Sequence, residues 1–346
     1  MDLEKTYREL RDTIGRLDLE SVWPGFRPLK FALYDDERCF FDGRYVEKTD
    51  VFLANTSIVY EGEQIAIWMI TEEPDIPVLA SKIVHEMFHG FQTLRGWDSW
   101  ANELEALCRY GYHPENLCLR LRENELLLSL LDRDDGKLLG ELLAHRKRRS
   151  EAFPYEFSYE SRIEEIEGTA NYVEWQILRQ LDEDRAEELT GRMRRDLRKA
   201  SYLFPIRISA YDTGALMIHA LRRAGLYSFE PETRPAVFRI LRDIAPSDGG
   251  FPGKELRLRE VTEAKNAWDG GTDGIIRAAL RKDEVVREGP CTLLGVNVYN
   301  ARFYRGYITT THFLMLRDGE GDRLLRGDFV IRMRDERTID RVWRQA

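Results

Sequence analysis

Cysteine is scarce and scattered. The chain has four in 346 residues, Cys39, Cys108, Cys118 and Cys291, and no C-x-x-C among them, which argues against both a disulfide framework and a thiolate zinc site. Long apolar runs are absent too: nothing approaches the roughly 20 residues that cross a bilayer. A composition 43% hydrophobic and 33% charged instead suits a soluble chain with a full core. Missing as well is a basic segment followed by an apolar one at the start. Met1-Asp2-Leu3-Glu4-Lys5 opens directly into a charged amphipathic helix, about Asp2 to Leu17, so the cytoplasm is the expected location. A net charge of -9 disfavours nucleic acid as a partner. The compact basic run His145-Arg146-Lys147-Arg148-Arg149 reads as a solvated helix end, where cations suit the C-terminal dipole.

Histidine is also rare, six in the chain, yet two of the six stand in His85-Glu86-Met87-Phe88-His89. At i and i+4 on a helix the two imidazoles share one face about 6 Å apart and can grip one metal ion, with Glu86 beside the open coordination position. The context is helical. Asp75 is a plausible N-cap, Pro77 falls in the first turn, and Val84, Met87, Phe88 and Phe91 give the motif apolar flanks. Two satisfied core histidines are the bland alternative, and the complete motif favours a hydrolytic metal site.

A catalytic zinc site uses three protein ligands and keeps the fourth position for water, so one ligand lies elsewhere. The metzincin continuation is excluded, because Gln92 stands where its Gly would be and Arg95 where its third His would be. Further on, Ser161 to Glu174 reads as an amphipathic helix with apolar residues at 163, 166, 170, 173 and 177. Glu167 borders that apolar face beside the small Gly168, while Glu160, Glu164 and Glu165 compete with it for the ligand role.

An H-E-x-x-H followed by a helix bearing Glu167-Gly168-Thr169-Ala170-Asn171-Tyr172, an E-G-x-A-x-Y pattern, resembles the gluzincin group of metallopeptidases. The resemblance covers two short helical segments. It implies Zn2+ held by His85, His89 and Glu167, with Glu86 as general base and a peptide or protein substrate. Where thermolysin-like members carry an Asp that orients one His, this chain has Asn171, and Glu174 or Gln92 could take over that part. There is no G-x-M-E-N signature, so the resemblance does not reach the alanyl-aminopeptidase family. Gluzincins add a Tyr or His from a later helix to stabilise the oxyanion. Tyr211, just ahead of Gly214-Ala215, is the candidate, with simple packing the equal alternative; His219 reads as a core or surface residue.

The expected fold class is α+β. A zincin-like metallopeptidase domain would span residues 1–285, with antiparallel strands over 29–70 and helices over 76–285. A small C-terminal β element would follow over 286–346, with strands at Leu293 to Val298, Tyr304 to Leu316 and Asp328 to Met333 and a turn at Asp318-Gly319-Glu320-Gly321-Asp322. In zincins an edge strand receives the substrate by strand addition, but the sequence does not show which strand is the edge. Tyr304, Tyr307 and His312 read as packing residues. The leading expectation is a zinc metallopeptidase. The alternative is a zincin-fold binding or scaffold protein with little turnover, against which the retained Glu86 speaks. A zinc hydrolase of non-peptide amides or esters shares the same metal chemistry.

Overall fold

The structure, a computed structural model, describes residues 2–227 and 240–345. Its helices and strands segregate along the chain as in an α+β protein. Helices α1 (Leu3–Ile14) and α2 (Leu19–Val22) precede a five-stranded sheet made of β1 (Lys30–Tyr34), β2 (Cys39–Phe41), β3 (Arg44–Val46), β4 (Thr56–Tyr60) and β5 (Glu63–Met69), in the order β3-β2-β1-β5-β4. Three of its four pairings are antiparallel, but β1 and β5 run parallel, against the expectation of a purely antiparallel sheet. The reason is topological. The β1-β2-β3 meander grows to one side of β1, residues 47–55 carry the chain to the other side, and a tight turn at Glu61-Gly62, both at positive φ, sends β5 back between β4 and β1. The central strands are buried on both faces: Ile65 and Ile67 pack with Tyr34 and Phe52, while Ala66 faces the main core.

Helix α3 (Ile76–Leu94) lies on the main-core face of this sheet. The Asp75 side chain caps it by accepting from the Val78 N–H at 3.3 Å, and Pro77 sits in its first turn. Its closest approach to the sheet is at Gly90, where a Cβ would lie 2.5 Å from Leu29 and 2.9 Å from Ser57. The helical half comprises α4 (Glu103–Arg109), α5 (Pro114–Asp132), α6 (Gly136–Ala152), α7 (Pro154–Ile163), α8 (Thr169–Leu181), α9 (Glu183–Asp196), α10 (Ile206–Arg223) and α11 (Lys254–Lys282). A single π-helical turn, Glu164–Gly168, joins α7 to α8.

The basic run of α6 is not a solvated helix end. Arg146 and Arg149 are fully buried and, with Arg120 of α5, meet Glu123, Glu160 and Glu164, all six at most 3% exposed. Arg120 reaches Glu164 at 2.7 Å, Arg149 reaches Glu123 at 2.8 Å, and the Thr213 hydroxyl donates to Glu164 at 2.9 Å. Spaced at i and i+3, Arg146 and Arg149 share the inward face of α6, and each meets carboxylates there that offset part of the cost of desolvating it. Burial works against the charged forms of Glu160 and Glu164, but the neighbouring guanidinium groups hold both carboxyls below the usual range.

A second sheet closes the chain: β6 (Val285–Val296), β7 (Arg302–Tyr304), β8 (Tyr307–Thr310), β9 (Phe313–Asp318), β10 (Gly321–Arg326), β11 (Phe329–Met333) and β12 (Thr338–Arg344), antiparallel throughout, in the order β10-β9-β6-β12-β11-β8-β7. The apolar alternation from Tyr304 to Leu316 is broken by two turns at positive φ, Arg305-Gly306 and His312, giving three strands in place of one. This sheet has its own core around Ile308, Leu314, Leu316, Phe329 and Ile339. Tyr304 and Tyr307 pack near α11 with Trp343.

Candidate metal centre

The i,i+4 spacing on α3 brings the His85 and His89 rings side by side, with their Nε2 atoms 3.1 Å apart. The π turn delivers the third donor. Glu167 Oε2 lies 3.1 Å from His89 Nε2 and 3.7 Å from His85 Nε2. Among the described residues, these three are the group of potential metal-binding side chains whose donor atoms converge, all within 4.8 Å, and all three residues are buried. Ligands about 2.0–2.1 Å from a tetrahedral zinc ion sit about 3.3 Å from one another, so the observed spacings and the N, N, O donor set fit such an ion.

Each donor is oriented from behind. Gln92 Oε1 lies 2.8 Å from His89 Nδ1, and Gln92 Nε2 donates to the Ile166 carbonyl and the Thr169 hydroxyl, both at 2.8 Å. An amide oxygen only accepts, so His89 donates through Nδ1 and faces the cluster with Nε2. Glu174 Oε2 lies 3.0 Å from His85 Nδ1. Asn171 takes no part, donating instead to Asp212 at 3.2 Å. Glu167 is held by its other oxygen: Arg207 donates to Oε1 at 2.7 Å and to the Tyr211 hydroxyl at 2.9 Å, and it also pairs with Glu103.

The electrostatics favour positive charge here. Burial disfavours a charged His85, but Glu167 and Glu174 outweigh it and push its pKa up to about 10. Burial likewise opposes ionisation of Glu167, yet His89, His85 and Arg207 hold its carboxyl well below the usual range. Burial raises the Glu86 carboxyl above its ordinary value, with the two histidines pulling the other way. Glu86 opens onto a cleft of about 810 Å³ between the two sheets, lined also by Trp68, Lys82, Tyr299 and His312.

Of the residues singled out in the sequence, His85, His89 and Glu167 come together, Glu86 stands at the cleft, and the Tyr211 ring stacks 6.5 Å from that of His85. The rival carboxylates do not reach the site: Glu160 and Glu164 belong to the ionic cluster, and Glu165 is buried near Tyr227. Gly168 and Gly214 explain the close crossing beside Tyr211, since a Cβ on Gly168 would lie 2.5 Å from the Gly214 Cα. His219 packs against Trp175 away from the site. Sequence reasoning missed Arg207, Glu103, Tyr299 and the π turn. Arg207 stands four residues before Tyr211, a spacing that shares a helix face and was open to reading; Tyr299 carries no local signal. Compared with protein-family models, curated proteins and solved structures, the chain matches none.

Proposed function

We propose that the chain is a gluzincin-like zinc metallopeptidase with a zincin-like catalytic fold, working in the cytoplasm and hydrolysing peptide amide bonds. The observation that carries the reading is the convergence of His85, His89 and Glu167 at tetrahedral spacing, each braced from behind, beside a carboxylate that opens onto a cleft. Bound zinc would supply a Lewis acid for the scissile carbonyl and bring the pKa of a water to about 7.

The chain's own residues do the rest. Glu86 accepts the proton of the attacking water on its carboxylate and passes it to the leaving amine nitrogen; its raised affinity for a proton suits that transfer. Gln92 and Glu174 keep the two imidazoles turned inward. The Tyr211–Tyr299 hydroxyl pair, 3.1 Å apart, borders the site where negative charge grows on the carbonyl oxygen. Among the described residues no helix is long and apolar enough to cross a membrane.

Metal analysis by inductively coupled plasma mass spectrometry, on protein purified without chelator or added zinc, tests the reading. About one zinc per chain is expected, and Glu167→Ala should lose it. Protein that carries no metal and takes up none would overturn the proposal.

A further inference from the structure

Tyr299 comes from the C-terminal sheet, not from the helical half that carries the metal cluster. It lies in the short loop between β6 and β7. That loop is built rather than loose: Ala301 N–H donates to the Asn297 carbonyl at 2.9 Å, Tyr299 N–H to Asn297 Oδ1 at 3.3 Å, and Asn297 N–H to the Thr310 hydroxyl at 3.2 Å. The loop holds an aromatic residue 53% exposed, among the more exposed large hydrophobic side chains of the described residues, with its hydroxyl 3.1 Å from that of Tyr211. A tyrosine kept so open is not there to fill the core.

The direction of the hydrogen bonds decides which hydroxyl is free. Arg207 can only donate, so Tyr211 accepts from it at 2.9 Å. If Tyr299 also donated to Tyr211, the Tyr211 proton would have no partner among the described hydrogen bonds. Running the chain from Arg207 to Tyr211 to Tyr299, across the 3.1 Å contact between the two phenols, pairs the proton of the less exposed Tyr211 and leaves free that of the exposed Tyr299. The Tyr299 proton is then left to point into the cleft that also holds Glu86. The Arg207 guanidinium lies over both rings, 5.4 Å from the centroid of Tyr211 and 5.6 Å from that of Tyr299, and so fixes the pair.

We propose that Tyr299 donates the hydrogen bond to the substrate carbonyl oxygen as it gains charge, and that Tyr211 is a positioning residue behind it, so that the C-terminal sheet completes the active site. The inference rests on the metal-hydrolase reading above. Its test uses methylphosphonate, a tetrahedral zinc-binding anion, titrated calorimetrically into the full-length zinc-loaded protein and into Tyr299→Phe and Tyr211→Phe, with zinc content measured on each. Tyr299→Phe should keep its zinc and bind methylphosphonate at least about tenfold more weakly, and Tyr211→Phe should lose less. Unchanged binding in zinc-loaded Tyr299→Phe, or a larger loss in Tyr211→Phe, would overturn the assignment. So would a wild type that holds zinc but does not bind the anion. A wild type that takes up no zinc would instead bring down the hydrolase reading itself.

Discussion

Two clusters of buried charge share the helical stretch from Pro154 to Leu181 and use it in opposite ways. In one, Glu160 and Glu164, with Glu123, meet Arg120, Arg146 and Arg149, so three anions answer three cations in a buried unit. In the other, Glu167 and Glu174 meet two imidazoles, with Glu86, Glu103 and Arg207 nearby. The first cluster turns its opposite charges on one another. The second aims three donor atoms at one point, an arrangement suited to a divalent cation. Buried charge by itself therefore says little about function; whether donor atoms converge on one point distinguishes a site from a structural brace.

The largest expected effect tests whether the second cluster is a working site. Glu86→Gln should keep its metal and lower peptide turnover by about 10³-fold, read from zinc content and from kcat on a peptide library substrate. Full activity in that variant would remove Glu86 from the mechanism and leave the cluster a metal-binding brace. Next comes the closed cluster. Arg149→Met leaves Glu123 and Glu160 short of a partner in the buried interior and should cost about 3–5 kcal/mol in urea unfolding. A cost below about 1 kcal/mol, the range of an exposed pair, would erase the contrast between the two regions.

Much of the open cluster was legible because its pieces are local. His85, Glu86 and His89 lie within one helical turn, and Asp75 with Pro77 marks where that helix begins. Glu167 was set apart from Glu160, Glu164 and Glu165 by the resemblance of its E-G-x-A-x-Y helix to the gluzincin pattern, and Gln92 and Glu174 came in as substitutes for the Asp that Asn171 replaces. The closed cluster was not legible. Its ion pairs join residues from α5, α6, α7 and the π turn, up to 44 positions apart, and a basic run on a helix looks the same whether it faces water or three glutamates. Tyr299 hid for the same reason, meeting Tyr211 across 88 positions. In the first sheet, alternation identified strands but carried no information on direction, and so the parallel β1–β5 pair went unforeseen.

A smaller effect sharpens the contrast from the outer layer of the open cluster. Glu174→Gln preserves shape but removes the charge 3.0 Å from His85 Nδ1. Zinc affinity measured by chelator competition should fall by about 10–100-fold, with little change in the unfolding midpoint. Unchanged affinity would show that Glu174 is only a neighbour, and that His85 owes its orientation to the packing of α3.

The smallest effect concerns a histidine that neither cluster employs. His219 packs at 5.2 Å against Trp175, and its charged neighbours in α8 and α10 are Arg179, Arg222 and Arg223. Glu187 and Arg194 of α9 line the same surface pocket. Burial first, then those arginines, depress its pKa to about 4, whereas the carboxylates around His85 push that ring the other way. In the unfolded chain His219 titrates near its ordinary value of about 6.5. Between the two values the unfolded state binds a proton that the folded state refuses. The contribution of His219 is therefore complete above about pH 6.5 and is lost as the pH falls toward 4, with no further loss below. Partial exposure reduces the size to roughly 1–2 kcal/mol. Urea unfolding at pH 7 and pH 4.5 should show the wild type losing that much more than His219→Gln. Equal losses in the two proteins would mean that burial and the arginines around His219 leave its titration untouched, and that its surroundings do not set it apart from His85.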